Sequence, residues 1–202
     1  MNPQKQATPD RPIHELLAKR WSPYAFADRA VSDDDLRSLF EAARWAASSY
    51  NEQPWRYLVA TKANLADFGR LLSCLVEGNQ AWAWAASVLA LGCTSLRFAL
   101  NNKPNAAAVH DLGLASANLT LEATARGLFV HQMIGILPDR ARELYGIPED
   151  VQPLTGLAIG YAADPDALPE KYRERDLVPR LRKTLAEFVF GGEWGSASSL
   201  VT

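Results

Sequence analysis

Apolar residues recur at three- and four-residue steps in some stretches of the chain and run almost unbroken in others, so helices and strands alternate along it. Ile13, Leu16 and Leu17 share one side of a short predicted helix over residues 11–19, which Pro23 cannot continue. Ser32 and Asp35 make a Ser-x-x-Asp capping pattern, and Asp33 and Asp34 add negative charge at the positive helix end. Leu36, Leu39, Phe40 and Ala43 carry that helix to about residue 47. Residues 55–61 read as a largely apolar strand, 65–72 and 79–86 as helices, and 87–93 as a buried strand of nearly continuous apolar character. Asn101, Asn102, Pro104 and Asn105 make 97–108 irregular. The longest helical pattern, 110–126, is Ala-rich and apolar nearly all round, which predicts a central buried helix with Gly127 as its C-terminal cap. A short strand at 129–132, a helix at 140–145 stopped by Gly146 and Pro148, and a strand at 154–159 ended by Gly160 complete the pattern. The expectation is an α+β fold, a mixed sheet flanked by helices around one long central helix.

The remainder divides into an N-terminus and a tail. Residues 1–10 are polar, hold two prolines and lack the apolar core of a signal peptide, so they are expected to be loosely held. Residues 11–163 form the main domain. From 164 on, three prolines (Pro165, Pro169, Pro179) and a charge-dense stretch over 170–183 precede an apolar piece at 185–190. Phe188, Val189, Phe190 and Trp194 need burial, so 164–202 reads as an arm that wraps a partner. At 202 residues, with 48% hydrophobic and 22% charged, the chain can bury a real core. A net charge of -2 points to neither nucleic acid nor an anionic membrane surface. No uninterrupted apolar run approaches the about 18–20 residues of a membrane span. Cys74 and Cys93 lack metal-type spacing and read as buried thiols of a cytoplasmic protein. His14, His110 and His131 form no His-x-x-x-His or Glu-x-x-His pair, so no metal is expected.

Four constellations could carry chemistry. The run from Ala46 through Ala47, Ser48, Ser49, Tyr50, Asn51, Glu52, Gln53 and Pro54 to Trp55 packs hydroxyls and carboxamides into a helix-to-strand connection. That set suits a polar heterocycle, and it also suits a plain turn. Arg20 and Ser22, two apart at a helix end, can both reach one phosphate, as can Arg180 and Arg182 on one side of an extended segment; each pair also reads as solvated surface. Asn79, with Trp82 one turn on, could read a ring edge or simply cap a helix. In the segment His131-Gln132-Met133-Ile134-Gly135, Gly135 permits close approach to a planar ligand, and His131 is either catalytic or structural. There is no nucleophile with a paired base, no Gly-x-Gly-x-x-Gly after a strand and no Walker-type loop, so an enzyme here takes its hard chemistry from a bound cofactor.

In this order the segments resemble the nitroreductase family of FMN-dependent oxidoreductases. Arg20-Trp21-Ser22-Pro23-Tyr24-Ala25-Phe26 is similar to its Arg-x-Ser-x-(basic)-x-Phe signature, and residues 43–55 to its Ala-x-x-Ala-Pro-Ser-Ser-x-Asn-x-Gln-Pro-Trp motif. Asp111-Leu112-Gly113-Leu114-Ala115, Ile159-Gly160-Tyr161 and the basic segment at 180–185 follow, so the likeness spans about residues 13–194. The resemblance implies a homodimer with FMN at the subunit interface. Arg20, Ser22, Arg180 and Arg182 would hold the phosphate, with backbone contacts near Trp21. Ser48, Ser49 and Asn51 would come from the other subunit, with Gln53 beside them. Asn79 would face the pyrimidine edge, and Ile134 and Gly135 would stand near flavin N5. It further implies ping-pong transfer of hydride from NADH or NADPH to a nitroaromatic, quinone or similar small acceptor, with no catalytic side chain beyond the flavin. Tyr24 stands where the family usually has Arg or Lys, Trp82 where several members carry Lys, and Ala47 where Pro is usual. Two missing cations beside the flavin imply a lowered potential. They keep open an FMN storage or sensor protein, alongside a flavin-fragmenting, dehalogenating or azoline-oxidising offshoot.

Overall fold

Strands β1 (Trp55–Thr61), β2 (Val88–Ser95), β3 (Phe129–Met133) and β4 (Val151–Gly160) form one sheet in the order β1-β2-β4-β3, in a computed structural model that describes residues 5–201. Every pairing in it is antiparallel, which corrects the mixed sheet expected; the α+β class stands. The reason is topological. Helix α5 (Ala108–Ala125) returns the chain from the far end of β2 to the start of β3, so those two strands run the same way. Strand β4 then inserts between them in the opposite sense.

Both sheet faces are covered, which is why β2 is apolar throughout. Val88 and Ala90 of β2, with Leu157 and Ile159 of β4, pack against α5 and α2 (Asp33–Arg44). Leu89, Leu91 and Cys93 face the other way, into a core closed by α3 (Leu65–Leu72), α4 (Glu77–Ala83) and α6 (Pro138–Tyr145). A register shift at Gly92/Cys93 places Pro153 opposite Cys93. Pro153 lies beyond the end of β3 and beside this bulge, so its missing N–H breaks no ladder on that side.

Local chemistry sets the element ends. Ser32 caps α2, its hydroxyl accepting from Asp35 N–H at 3.0 Å and donating to the Asp35 carboxylate at 2.7 Å. Gly127, at φ 73°, closes α5: its N–H reaches Thr124 O, and Leu128 N–H reaches Ala123 O at 2.8 Å, the paired bonds of a Schellman end. Helix α1 (Glu15–Lys19) begins later than expected because His14 caps it, Nδ1 accepting from Leu16 N–H. Helix α4 ends at Ala83, because Ala85 and Ala86 bond three residues back and tighten the chain.

Two features of the chain ends add to the sequence pattern. Lys5 is 6% exposed, and its Nζ donates to Arg175 O and Val178 O, both at 2.7 Å. The charge-dense stretch after Pro169, to which the sequence pattern gave no element, forms a helix, α7, at Glu170–Leu177, burying Tyr172 and Asp176 one turn apart. Residues 1–4 and 202 lie outside the described residues.

Candidate functional site: a cation cluster beside the sheet

Arg20 ends α1, and its Nη1 donates to Ser22 Oγ at 3.3 Å. Arg180 stands beside it, Nη1 donating to Ala18 O at 2.8 Å and Lys5 O at 3.2 Å, while its buried Nε has no partner. Burial, then Arg180 and Arg182, holds the Arg20 guanidinium below the usual arginine range; burial and Arg182 do the same to Arg180. Among the described residues no carboxylate forms an ion pair with Arg20, Arg180 or Arg182. Uncompensated cations are costly when partly buried, and an anion between them removes the cost. This donor set, two neighbouring guanidiniums and a hydroxyl with an orphaned N–H, fits a phosphate. A cleft of about 270 Å³ opens beside Arg20 and Ser22, walled by Leu17, Ala117, Leu121 and Gln132. Trp21 itself turns inward: its indole is buried against Phe129, at 5.6 Å between ring centroids, so only its backbone stays in line with Arg20 and Ser22.

The polar connection Ser48–Gln53 is a strained turn. Tyr50, Asn51 and Gln53 all have positive φ, at 53°, 56° and 52°. For residues with a Cβ this costs about 1 kcal/mol or more each, so the surroundings must enforce it. They do: Asp111 Oδ2 accepts from Ser49 N–H at 3.0 Å, Ser48 Oγ accepts from Gln53 N–H at 3.1 Å, and Gln53 Nε2 donates to Asn51 Oδ1 at 3.1 Å. Ala47 lies exposed just before it. The turn is anchored at the first turn of α5, whereas Arg20 sits near Ala117 and Leu121. At 1.5 Å per residue the two anchor points are about 9–15 Å apart along the helix. Within one chain, therefore, the strained turn and the cation cluster remain separate.

Asn79 is pinned to the end of β3: its Nδ2 donates to Gly135 O at 2.9 Å, and a Cβ on Gly135 would fall 2.5 Å from that nitrogen. Ile134 beside it is 71% exposed. Trp82 is placed differently from the expectation of a ligand-edge residue. Only 1% exposed, it sits in the core against His131 and Tyr24, with ring centroids 4.4 and 5.0 Å away. The cause is its position in α4, where it faces the sheet. His131 is satisfied: Nδ1 lies 2.8 Å from Pro23 O, a pure acceptor, so the neutral ring carries its proton there. Burial pulls its pKa down to about 4, which keeps it neutral at physiological pH. Tyr24 Oη accepts from Arg175 Nη1 at 3.1 Å, and the Asp176 carboxylate takes the N–H groups of Tyr24 and Ala25 at 3.0 Å.

Lys5, Asp111, Arg175 and Asp176 thus matter to the site, although the sequence pattern did not single them out. The available signals were an acid in the apolar first turn of α5 and the Tyr172–Asp176 spacing of one helical turn.

The fold is α+β, with a cluster of partly buried guanidiniums beside the sheet. A profile described as the Nitroreductase family matches residues 17–161, and the chain belongs to that family. A solved oxidoreductase containing FMN is 35% identical, with a TM-score of 0.87 over 93% of this chain and 95% of the other. An uncharacterized 15.4 kDa protein of Mycolicibacterium smegmatis is 37% identical over 67% of this chain and 91% of its own length. A protein of Archaeoglobus fulgidus, provisionally named an NADH dehydrogenase/NAD(P)H nitroreductase, is 27% identical over 74% of this chain and 85% of its own length. Among the described residues no helix is long and apolar enough to cross a membrane, and no group of three or more His, Cys, Asp or Glu could hold a metal ion.

Proposed function

We propose that this chain is a homodimeric FMN-dependent oxidoreductase that takes hydride from NADH or NADPH and passes it, by a ping-pong cycle, to a nitroaromatic, quinone or similar small acceptor. The observation that carries the reading is the cluster of Arg20, which donates to Ser22, with Arg180 and Arg182, none of which has a carboxylate ion-pair partner among the described residues. Those four residues would hold the phosphate, with the backbone at Trp21 beside them. Asn79, Ile134 and Gly135 would border the ring. FMN, when bound, would supply the two-electron chemistry that no side chain of this protein offers. The chain's own part is to bind, orient and exclude water.

Two observations support the dimer. Gly113 and Ala117 leave an exposed small-residue stripe on α5, flanked by half-buried Leu114 and Leu121. The tail exposes Phe188 at 57% and Trp194 at 94%. Both surfaces call for a partner. A second copy would also lend Ser48, Ser49, Asn51 and Gln53, which one chain keeps away from its own cation cluster. The reduced nicotinamide is taken from the provisional name of the Archaeoglobus fulgidus relative.

The test is direct. Purified protein should bind FMN and quench its fluorescence, and NADH or NADPH should bleach the bound flavin anaerobically. Arg20→Ala should weaken FMN binding at least tenfold while having little effect on riboflavin, which lacks the phosphate. Tight FMN with no bleaching by either nicotinamide would instead indicate a storage or sensor protein; failure to bind FMN would end the flavin reading altogether.

A further inference from the structure

Helix α7 lies beyond the family match at 17–161, and it packs through Tyr172 into the core cluster that holds Trp82. Three contacts fix it there. Tyr172 Oη donates to Gly78 O at 2.7 Å, one residue before Asn79. The Asp176 carboxylate holds the Tyr24 and Ala25 N–H groups. Between those two anchors, Arg175 Nη1 reaches Tyr24 Oη at 3.1 Å, with its guanidinium carbon 5.9 Å from the ring centroid. Helix α7 therefore bridges the segment that carries Arg20 and Ser22 to the helix start that carries Asn79, and Arg175 stands on the bridge.

Two further facts give that position meaning. Arg20 and Arg175 both lie within electrostatic range of the His131 imidazole, each opposing its protonation. Arg173, on the same helix, is paired with Asp166 and Glu170, whereas Arg175 makes no such ion pair among the described residues. An exposed arginine held by a tyrosine hydroxyl keeps its full charge and gives up little of its rotamer freedom later.

We propose that Arg175 is a specificity-determining residue of the flavin site: Arg20, Ser22, Arg180 and Arg182 form one positive end, and the Arg175 guanidinium, placed by Tyr24, forms a second that favours the reduced ring. The inference rests on the FMN reading above. FMN, when bound, would take a hydride (two electrons and one proton) from NADH or NADPH, which would leave oxidised, and the ring would then be singly negative. A fixed cation nearby favours that charged form over the neutral oxidised one. The basic residue absent at position 24 is thereby replaced by one that lies 151 residues further along the chain.

The experiment compares wild type, Arg175→Gln and Arg175→Lys, each titrated with FMN and then reduced against a reference dye. All three should bind FMN within about threefold of one another. At the potential where wild type is half reduced, the reduced-to-oxidised ratio of Arg175→Gln should fall at least tenfold, a midpoint about 30 mV lower for a two-electron couple. Arg175→Lys should recover most of that loss. Equal midpoints in wild type and Arg175→Gln, or equal lowering in both variants, would overturn the assignment and leave the FMN reading intact. Wild-type protein that binds no FMN would overturn both.

Discussion

His131 shows how a side chain with catalytic potential is committed to structure. Its Nδ1–H is taken by Pro23 O, and aromatic rings close over it. The pH consequence follows from the sign of its shift. The unfolded chain binds this proton near 6.5 and the folded chain near 4. Between those values the unfolded state holds more protons, so its stabilising effect is complete above 6.5 and is lost as pH falls toward 4, by up to about 3 kcal/mol. Urea unfolding of wild type and His131→Gln at pH 7 and pH 5 checks this: the variant should lose markedly less stability between the two. The turnover profile should show no ionisation attributable to His131 between pH 5 and 8. Cys93 is committed in the same way, its thiol pushed up by burial to about 11.

At the scale of elements, α7 is the piece on which the site's geometry turns. Asp176 accepts from two backbone N–H groups of the segment that follows Ser22, and it is 1% exposed. Asp176→Ala leaves those donors buried without their acceptor, which should cost about 2–4 kcal/mol. Thermal unfolding should register the loss, and FMN affinity should fall with it, although Asp176 belongs to no ligand-binding motif. The sequence pattern made β1 legible residue for residue, because its apolar run is bounded by Pro54 and a polar turn. It made α5 legible too, apart from a two-residue extension at its start and one residue fewer at its end. It did not reveal α7, since only Tyr172 and Asp176 of its eight residues are buried and the rest reads as a solvated charge run. Lys5 was not singled out for a related reason: a polar side chain in a polar terminus gives no local sign of contacts 170 residues away.

On the scale of the whole molecule, spacing and residue type singled out Arg20, Ser22, Arg180 and Arg182, and the structure puts Arg20 on Ser22 with Arg180 and Arg182 within electrostatic range. Trp82 was not legible as core, because the face of a short helix is ambiguous in sequence. The strained Ser48–Gln53 turn stays apart from the cluster, and the α5 stripe suggests how the two could meet. Gly113→Glu places a charge in that stripe at a position outside the cleft beside Arg20 and Ser22. Light scattering should then report a shift from dimer to monomer, with FMN affinity reduced at least tenfold because each site loses the other subunit's turn. A dimer that persists, with unchanged affinity, would argue against α5 as the interface. The meeting of Lys5 with the end of α7 also has a temporal consequence. A chain emerging from the ribosome presents Arg20 and Ser22 before any of the four strands, but Asp176, Arg180 and the acceptors of Lys5 only after all four. The cation cluster therefore joins residues from before the first strand to residues from after the last, and it is complete only when both flanks of the sheet are in place.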